Sequence, residues 1–172
     1  MTIREATAAD LPAMTAIYAH HVLHGTGTFE EDPPPQDDMA ARLAKVQKAG
    51  CAWLVSEDET GITGYAYYAP FRDRSAYRFT AENSVYVREG VRGQGVGKAL
   101  VAELLARAEA QGFRQMIAVI GDSENAGSIG LHASLGFRRA GVIHAVGLKF
   151  GRWVDVVFMQ KTLGEGDRNV PA

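Results

Sequence analysis

The 172-residue chain has a single cysteine, Cys51, so it can form no internal disulfide and cannot build a thiolate metal cage. It has no excess of either charge: 18 Lys+Arg stand against 20 Asp+Glu, a formal charge of −2. Nucleic-acid binders usually carry a basic excess or stripe, so no nucleic-acid partner is expected. No apolar run approaches the ~18 residues of a membrane span. Met1-Thr2-Ile3-Arg4-Glu5 also lacks the basic-then-apolar layout of a secretory signal. No membrane partner is therefore expected, and the expected compartment is the cytoplasm. There is no internal repeat and no low-complexity stretch long enough to act as a linker. With 47% hydrophobic and 22% charged residues, the chain reads as one globular domain over 1–163. The polar, glycine-containing stretch 164–172 reads as a flexible tail.

What is present alternates two periodicities. Ile3–Ala6 has the character of a short strand. Asp10, with Pro12 in the first turn, can open a helix carrying Leu11, Met14, Ile17 and Tyr18 on one face. Met39, Leu43 and Val46 mark a second helix after Pro33-Pro34-Pro35. Cys51–Val55 and Ile62–Ala69 predict a hairpin around the acidic turn Glu57-Asp58-Glu59-Thr60-Gly61, and Phe79–Val87 a further strand. From Val96 to Ala110 the stripe Leu100, Val101, Leu104, Leu105 and Ala108 gives the clearest helix, with Gly112 placed as a C-terminal cap. Met116–Ile120 is a wholly apolar strand suited to burial on both faces. Asn125–Leu135 is a helix closed by Gly136, and Phe137–Val146 with Trp153–Lys161 completes a β-pair. This order predicts a three-layer α/β domain on a mixed sheet.

Arg92-Gly93-Gln94-Gly95-Val96-Gly97-Lys98 joins a strand to the clearest helix. Glycines let the backbone turn tightly and present its N–H groups with no Cβ in the way, and the helix N-terminus adds a positive dipole end. Such a loop is a ready anion site, for a pyrophosphate above all. The Walker pattern fails here, because position 92 is Arg and position 99 is Ala; the dinucleotide fingerprint fails because Lys98 stands where its third glycine belongs. What remains is Arg-x-x-Gly-x-Gly, and its place between a strand and an amphipathic helix gives it weight. The competing reading is a tight strand–helix connection.

With Ile3-Arg4-Glu5-Ala6, Asp10, Asn125 and Leu135-Gly136-Phe137, this loop resembles the GNAT superfamily of acyl-CoA-dependent N-acetyltransferases. Within it the chain is similar to the phosphinothricin and methionine-sulfoximine acetyltransferase group. The residues responsible are Gly64-Tyr65-Ala66-Tyr67, Pro70-Phe71-Arg72-Asp73-Arg74, Ala76-Tyr77, Thr80 to Val87, Val119-Ile120, Ser128, Leu131-His132 and Gly147-x-Lys149-x-Gly151-x-Trp153-x-Asp155-Val156. The resemblance implies a three-layer α/β/α fold with a central mixed sheet, splayed after the strand ending at Val87. It implies acetyl-CoA as co-substrate, with its pyrophosphate on Arg92, Gly93, Gln94, Gly95, Val96, Gly97 and Lys98. The pantetheine and acetyl carbonyl would then meet the backbone of Val85, Tyr86 and Val87, with Asn125 and Ser128 along the cofactor arm. Parted strands leave backbone groups in need of partners, which agrees. The resemblance also implies a homodimer.

Acetyl transfer from a thioester needs a neutral amine, donors for the tetrahedral oxyanion and a proton for the departing thiolate. Glu82 is the base candidate, interrupting a β-prone strand just before the acetyl-binding segment. An exposed strand-face carboxylate is the competing reading, and direct contact and a water relay both stay open. His132 is the second catalytic candidate. Many GNAT members carry a tyrosine here as the acid; a histidine can be acid, base or packing partner. Arg72 and Arg74, flanking Asp73 on a loop, can clamp a carboxylate or phosphinate with their planar forks; solvated charges are the alternative. Phe29, Glu30, Trp153 and Asp155 are lesser candidates for the same pocket. Tyr65, Tyr67 and Tyr68 are expected to pack in the sheet, and Cys51 to be buried and inert. His20 and His24 share a helix face, but no further spacing completes a site, so no metal is expected. The leading reading is an N-acetyltransferase for the amine of a small amino acid or analogue with an anionic group, of the phosphinothricin, methionine sulfoximine or methionine sulfone type. The alternatives are acetylation of peptide or protein N-termini or another amine, and a non-catalytic acetyl-CoA sensor.

Overall fold

The computed structural model describes residues 1–171. One seven-stranded sheet runs in the order β1-β2-β3-β4-β5-β7-β6. Its strands are β1 (Thr2–Glu5), β2 (Trp53–Asp58), β3 (Gly61–Pro70), β4 (Thr80–Val87), β5 (Gln115–Gly121), β6 (Arg138–Lys149) and β7 (Arg152–Thr162). The helices are α1 (Leu11–His24), α2 (Gln36–Lys48), α3 (Val96–Ala110) and α4 (Ala126–Ser134). All neighbouring strands are antiparallel except β4 and β5, which are parallel and linked through α3. The expected α/β architecture on a mixed sheet is the one observed.

Adjacent residues of β3 tell the two faces apart, because successive strand side chains point to opposite sides. Gly64 lies under α3, where an added Cβ would meet Val96 at 3.2 Å and Leu100 at 3.4 Å. Tyr65, on the other face, packs with Trp53 and Tyr86, and Tyr86 takes the ring edge of Tyr18 from α1. Helices α1 and α2 thus cover one face and α3 the other. The α3 stripe is buried as its period predicts, with Leu100, Val101, Leu104 and Ala108 fully enclosed. Truncating either leucine to alanine would cost about 2–5 kcal/mol. Among the described residues no helix is long and apolar enough to cross a membrane.

Several boundaries differ from expectation for local reasons. The acidic turn shrinks to Glu59-Thr60 because Asp58 Oδ1 accepts from the Thr60 backbone N–H at 2.7 Å and from its hydroxyl at 2.6 Å. Strand β6 continues past Val146 to Lys149 because Asp155 Oδ1 accepts from the Ala145 N–H at 2.9 Å. That bond holds a bulge, after which the ladder with β7 resumes at Gly147. Asp10 closes a 3-10 turn, Ala8–Asp10, ahead of α1. Arg4 grips its carboxylate from two nitrogens at 2.8 Å and pulls its pKa down to about 2. Beyond residue 163, where a flexible tail was expected, Arg114 donates to Gly166 O and to Asn169 Oδ1 at 3.0 Å. Ala172, the end of that stretch, lies outside the described residues.

One feature of the sheet positions the site. Strands β4 and β5 pair only over Thr80–Asn83 and Gln115–Ala118. Past that point β4 stays with β3 through Val87, while β5 stays with β7 through Gly121. The sheet splays open between them.

Candidate active site

A cavity of about 720 Å³ fills the splay. Its walls are β4 from Asn83 to Val87, β5 from Ala118 to Ile120, the loop leading into α3, the start of α4 and Gly25-Thr26-Gly27 after α1. Backbone N–H and C=O groups are obligatory hydrogen-bonding groups. The β4 edge here faces no strand, so it suits an extended ligand that carries amides of its own.

The loop supplies an anion cradle at one end. Gly93 and Gly95 have φ of +79° and +82°, and Gly95 caps α3 without any side-chain bond, leaving the first helical N–H groups for a ligand. A Cβ at either glycine would meet no protein atom within 4 Å. The left-handed backbone, not crowding by the protein, is therefore what demands glycine there. Gly97 differs: a Cβ would meet Leu131 at 2.7 Å and Val87 at 3.3 Å, so its smallness lets α3, α4 and β4 close together. Arg92, Val96 and Lys98 also line the cavity, whereas Gln94 does not; its Nε2 is directed at Gly90 O. A cradle, an unpaired strand edge and room between them fit an acyl-CoA.

On the far wall Asn125 caps α4, its Oδ1 accepting from the Ser128 N–H at 3.2 Å. Ser128 O in turn accepts from His132 Nδ1–H at 2.8 Å, and Asn83 Nδ2 donates to His132 Nε2 at 2.9 Å. A carbonyl can only accept and an amide nitrogen can only donate, so the ring is fixed as the neutral Nδ1–H tautomer. Burial pushes the His132 pKa down, opposed by the bond to Ser128. Asn83 Oδ1 is buried with no partner.

Glu82 does not line this cavity. Its neighbour Asn83 points toward α4, so Glu82 points to the face covered by α1 and α2. It is half-buried there, and burial raises its pKa while Arg72 pulls it back. Arg72 Nη1 stands 3.8 Å from Glu82 Oε2, and the guanidinium lies over the Phe71 ring at 4.1 Å. Arg72, Asp73, Arg74 and Tyr77 line a second depression. The structure thus joins Glu82 to the arginine loop and His132 to the cavity wall, on opposite faces of the sheet. Between them Ser84 and Tyr86 share Glu82's side of β4 and line the cavity. Tyr67 stands opposite Ser84 in the β3–β4 ladder, and burial raises the pKa of its hydroxyl.

Two lesser candidates fall away from the pocket. Trp153 is 65% exposed, and Asp155 is occupied by Ala145 N–H and the Ser123 hydroxyl. Glu30 pairs with Arg42 at 2.6 Å. Tyr65, Tyr67 and Tyr68 pack in the sheet as expected, Tyr67 stacked on Trp53 at 4.1 Å, and Cys51 is buried. His20 pairs with Glu89 at 3.2 Å, and no group of three His, Cys, Asp or Glu residues among those described is placed to hold a metal.

Sequence reasoning missed His21, Asn83 and Asp122 as parts of this site. His21 Nε2–H donates to Val87 O at 2.9 Å, on the β4 edge. Asp122, buried with φ of +77°, accepts from the Thr26 hydroxyl at 2.8 Å and from Arg152. The one available signal was Gly121-Asp122 closing an apolar strand.

The acetyltransferase (GNAT) family profile matches residues 15–137. The phosphinothricin N-acetyltransferase of Alcaligenes faecalis is 54% identical over 170 residues, covering 99% of this chain and 86% of that one. The L-methionine sulfoximine/L-methionine sulfone acetyltransferase of Pseudomonas aeruginosa is 44% identical over 163 residues, 94% of each chain. The crystal structure of a GNAT superfamily phosphinothricin acetyltransferase from Sinorhizobium meliloti in complex with AcCoA superposes with a TM-score of 0.96. It is 49% identical and covers 99% of this chain and 92% of that one.

Proposed function

The chain belongs to the acetyltransferase (GNAT) family, and we propose that it moves the acetyl group of acetyl-CoA onto the amine of a small amino acid or analogue with an anionic end. Phosphinothricin, methionine sulfoximine and methionine sulfone are the acceptors of that class that its relatives' names support. The observation that carries this reading is the β4 edge, which runs from the glycine cradle of α3 toward the Glu82–Arg72 pair.

The thioester supplies an activated acyl carbon; the chain supplies placement and proton handling. The helix N-terminus with Arg92 and Lys98 takes the pyrophosphate, and the edge of Val85–Val87, which faces no strand and has only Val87 O held by His21, takes the pantetheine amides and polarises the acetyl carbonyl. Glu82 removes the proton from the amine. Because it lies outside the cavity wall, we place a water between carboxylate and amine. His132, neutral and held at both nitrogens, positions α4 against β4, and the thiolate draws its proton from cavity water. Arg72 and Arg74 face the acceptor's anionic group; Arg74 makes no side-chain hydrogen bond or ion pair among the described residues. A free carboxylate suits this pair, and an internal peptide residue lacks one, which favours a small acceptor over a peptide N-terminus.

We also propose a homodimer through the last hairpin, where Ile143, Val146, Leu148, Phe150 and Trp153 are each about half or more exposed. The compartment we propose is the cytoplasm. Release of free CoA from acetyl-CoA with a panel of amino acids, including the three analogues, tests the activity. Sedimentation of the wild type against Trp153→Glu tests the dimer.

A further inference from the structure

Lys149 is the least expected residue of the interior: a lysine at the end of β6 that is only 2% exposed. Its ammonium donates to Gly25 O and to Thr28 O, both at 2.8 Å, and lies 5.0 Å from the centre of the Phe150 ring. Both carbonyls belong to the segment between α1 and α2. That segment is seated on the sheet by further devices. A Cβ at Gly147 would run into the ring of Phe29, and a Cβ at Gly121 into Thr26 O. The Thr26 hydroxyl binds buried Asp122, and the Tyr18 hydroxyl binds Thr28 Oγ1 at 2.8 Å.

The segment borders both halves of the site. Gly25, Thr26 and Gly27 line the splay cavity, while Thr28 holds the Tyr18 hydroxyl at 2.8 Å and the Tyr18 ring packs at 4.9 Å against Tyr86, which lies on Glu82's side of β4. A buried cation is costly unless its partners are fixed. Here it donates to two carbonyls of a helix-free segment, that of buried Thr28 and that of half-buried Gly25.

Resting on the acetyltransferase reading, we propose that Lys149 is a positioning residue for the acceptor. Its ammonium pins Gly25–Glu30 as the wall that orients the amine substrate beside the β4 edge. It touches no reacting atom and moves no proton. Its effect should therefore fall on acceptor KM more than on kcat, since a misplaced wall weakens productive seating before it disables the chemistry.

The test compares the wild type with Lys149→Met, which keeps the stem and removes the charge, with Lys149→Arg, which restores a cation, and with Gly147→Ala. The last disturbs the same seat through Phe29 and leaves the lysine intact. Acceptor KM is expected to rise roughly tenfold or more in Lys149→Met and Gly147→Ala, and to recover partly in Lys149→Arg. The acetyl-CoA dissociation constant should change by a smaller factor than acceptor KM, since Gly25–Gly27 supply only one border of the cofactor cavity. Amide hydrogen exchange over residues 25–30 should accelerate in both damaged variants. If Lys149→Met does not fold, Gly147→Ala decides. Unchanged acceptor KM and unchanged exchange in a folded variant would overturn the proposal, as would equal losses in kcat and acetyl-CoA affinity. If the wild type acetylates no amino acid, the functional reading fails, and the exchange measurement alone decides whether Lys149 pins the segment.

Discussion

Arg72 and Glu82 stand 3.8 Å apart, guanidinium to carboxylate, across the loop that follows β3. The pair sets two opposed influences on one group: burial raises the Glu82 pKa and Arg72 lowers it. A base must be ionised to act, so the rate should rise with pH through the Glu82 pKa. Removing the arginine removes the influence that lowers that pKa. In Arg72→Ala the acidic limb of kcat/KM should therefore move to higher pH, and Glu82→Gln should lose the limb and on the order of 10² in turnover. Near wild-type turnover in Glu82→Gln would place the base elsewhere.

Gly95 holds a left-handed backbone at the mouth of the anion cradle. Gly95→Val should cost about 1–2 kcal/mol of stability from the disfavoured φ and leave the domain folded. Acetyl-CoA affinity should fall more steeply, because the new side chain occupies the space over the helix N-terminus. Calorimetry on the folded variant checks this; unchanged affinity would remove the loop from the cofactor site.

His132 should remain neutral at pH 7 with the proton on Nδ1, which nitrogen-15 NMR of the ring reads directly. Folding depresses its pKa, so the unfolded chain takes up the proton first. The stability it contributes should be complete above about pH 6.5 and decline as pH falls below that value. A ring protonated on Nε2 at neutral pH would contradict both the Asn83 bond and its assignment as a positioning group.

Helix α3 and its loop were readable because their signals are local: a 3.6-residue apolar stripe and glycine punctuation place Val96–Ala110 where the structure has it. Strand ends drifted by two or three residues where a side chain such as Asp58 or Asp155 bonded the backbone. What stayed hidden is held by distant partners. Lys149 and Thr28 are 121 residues apart, Thr26 and Asp122 are 96 apart, and Asn83 and His132 are 49 apart. No spacing encodes such pairs. The placement of Glu82 on the face opposite His132 follows from strand alternation, and it became informative only once α4 had a side.

Arg72→Ala and Arg74→Ala should each raise acceptor KM by an amount worth about 1.5–3 kcal/mol, roughly 10- to 150-fold, with acetyl-CoA affinity nearly unchanged. Lysine replacements should restore only part of the loss, because a point charge lacks the planar fork.

The central claim, acetyl transfer to a small amine whose anionic end meets the arginine pair, is tested most directly by initial rates of CoA release with methionine sulfoximine and with its carboxyl ester. The account predicts turnover of the free acid, a kcat/KM for the ester lower by roughly 10- to 150-fold, and little further loss for the ester in Arg74→Ala. Equal rates for acid and ester would contradict the clamp, and no release above background with any amino acid would contradict the activity.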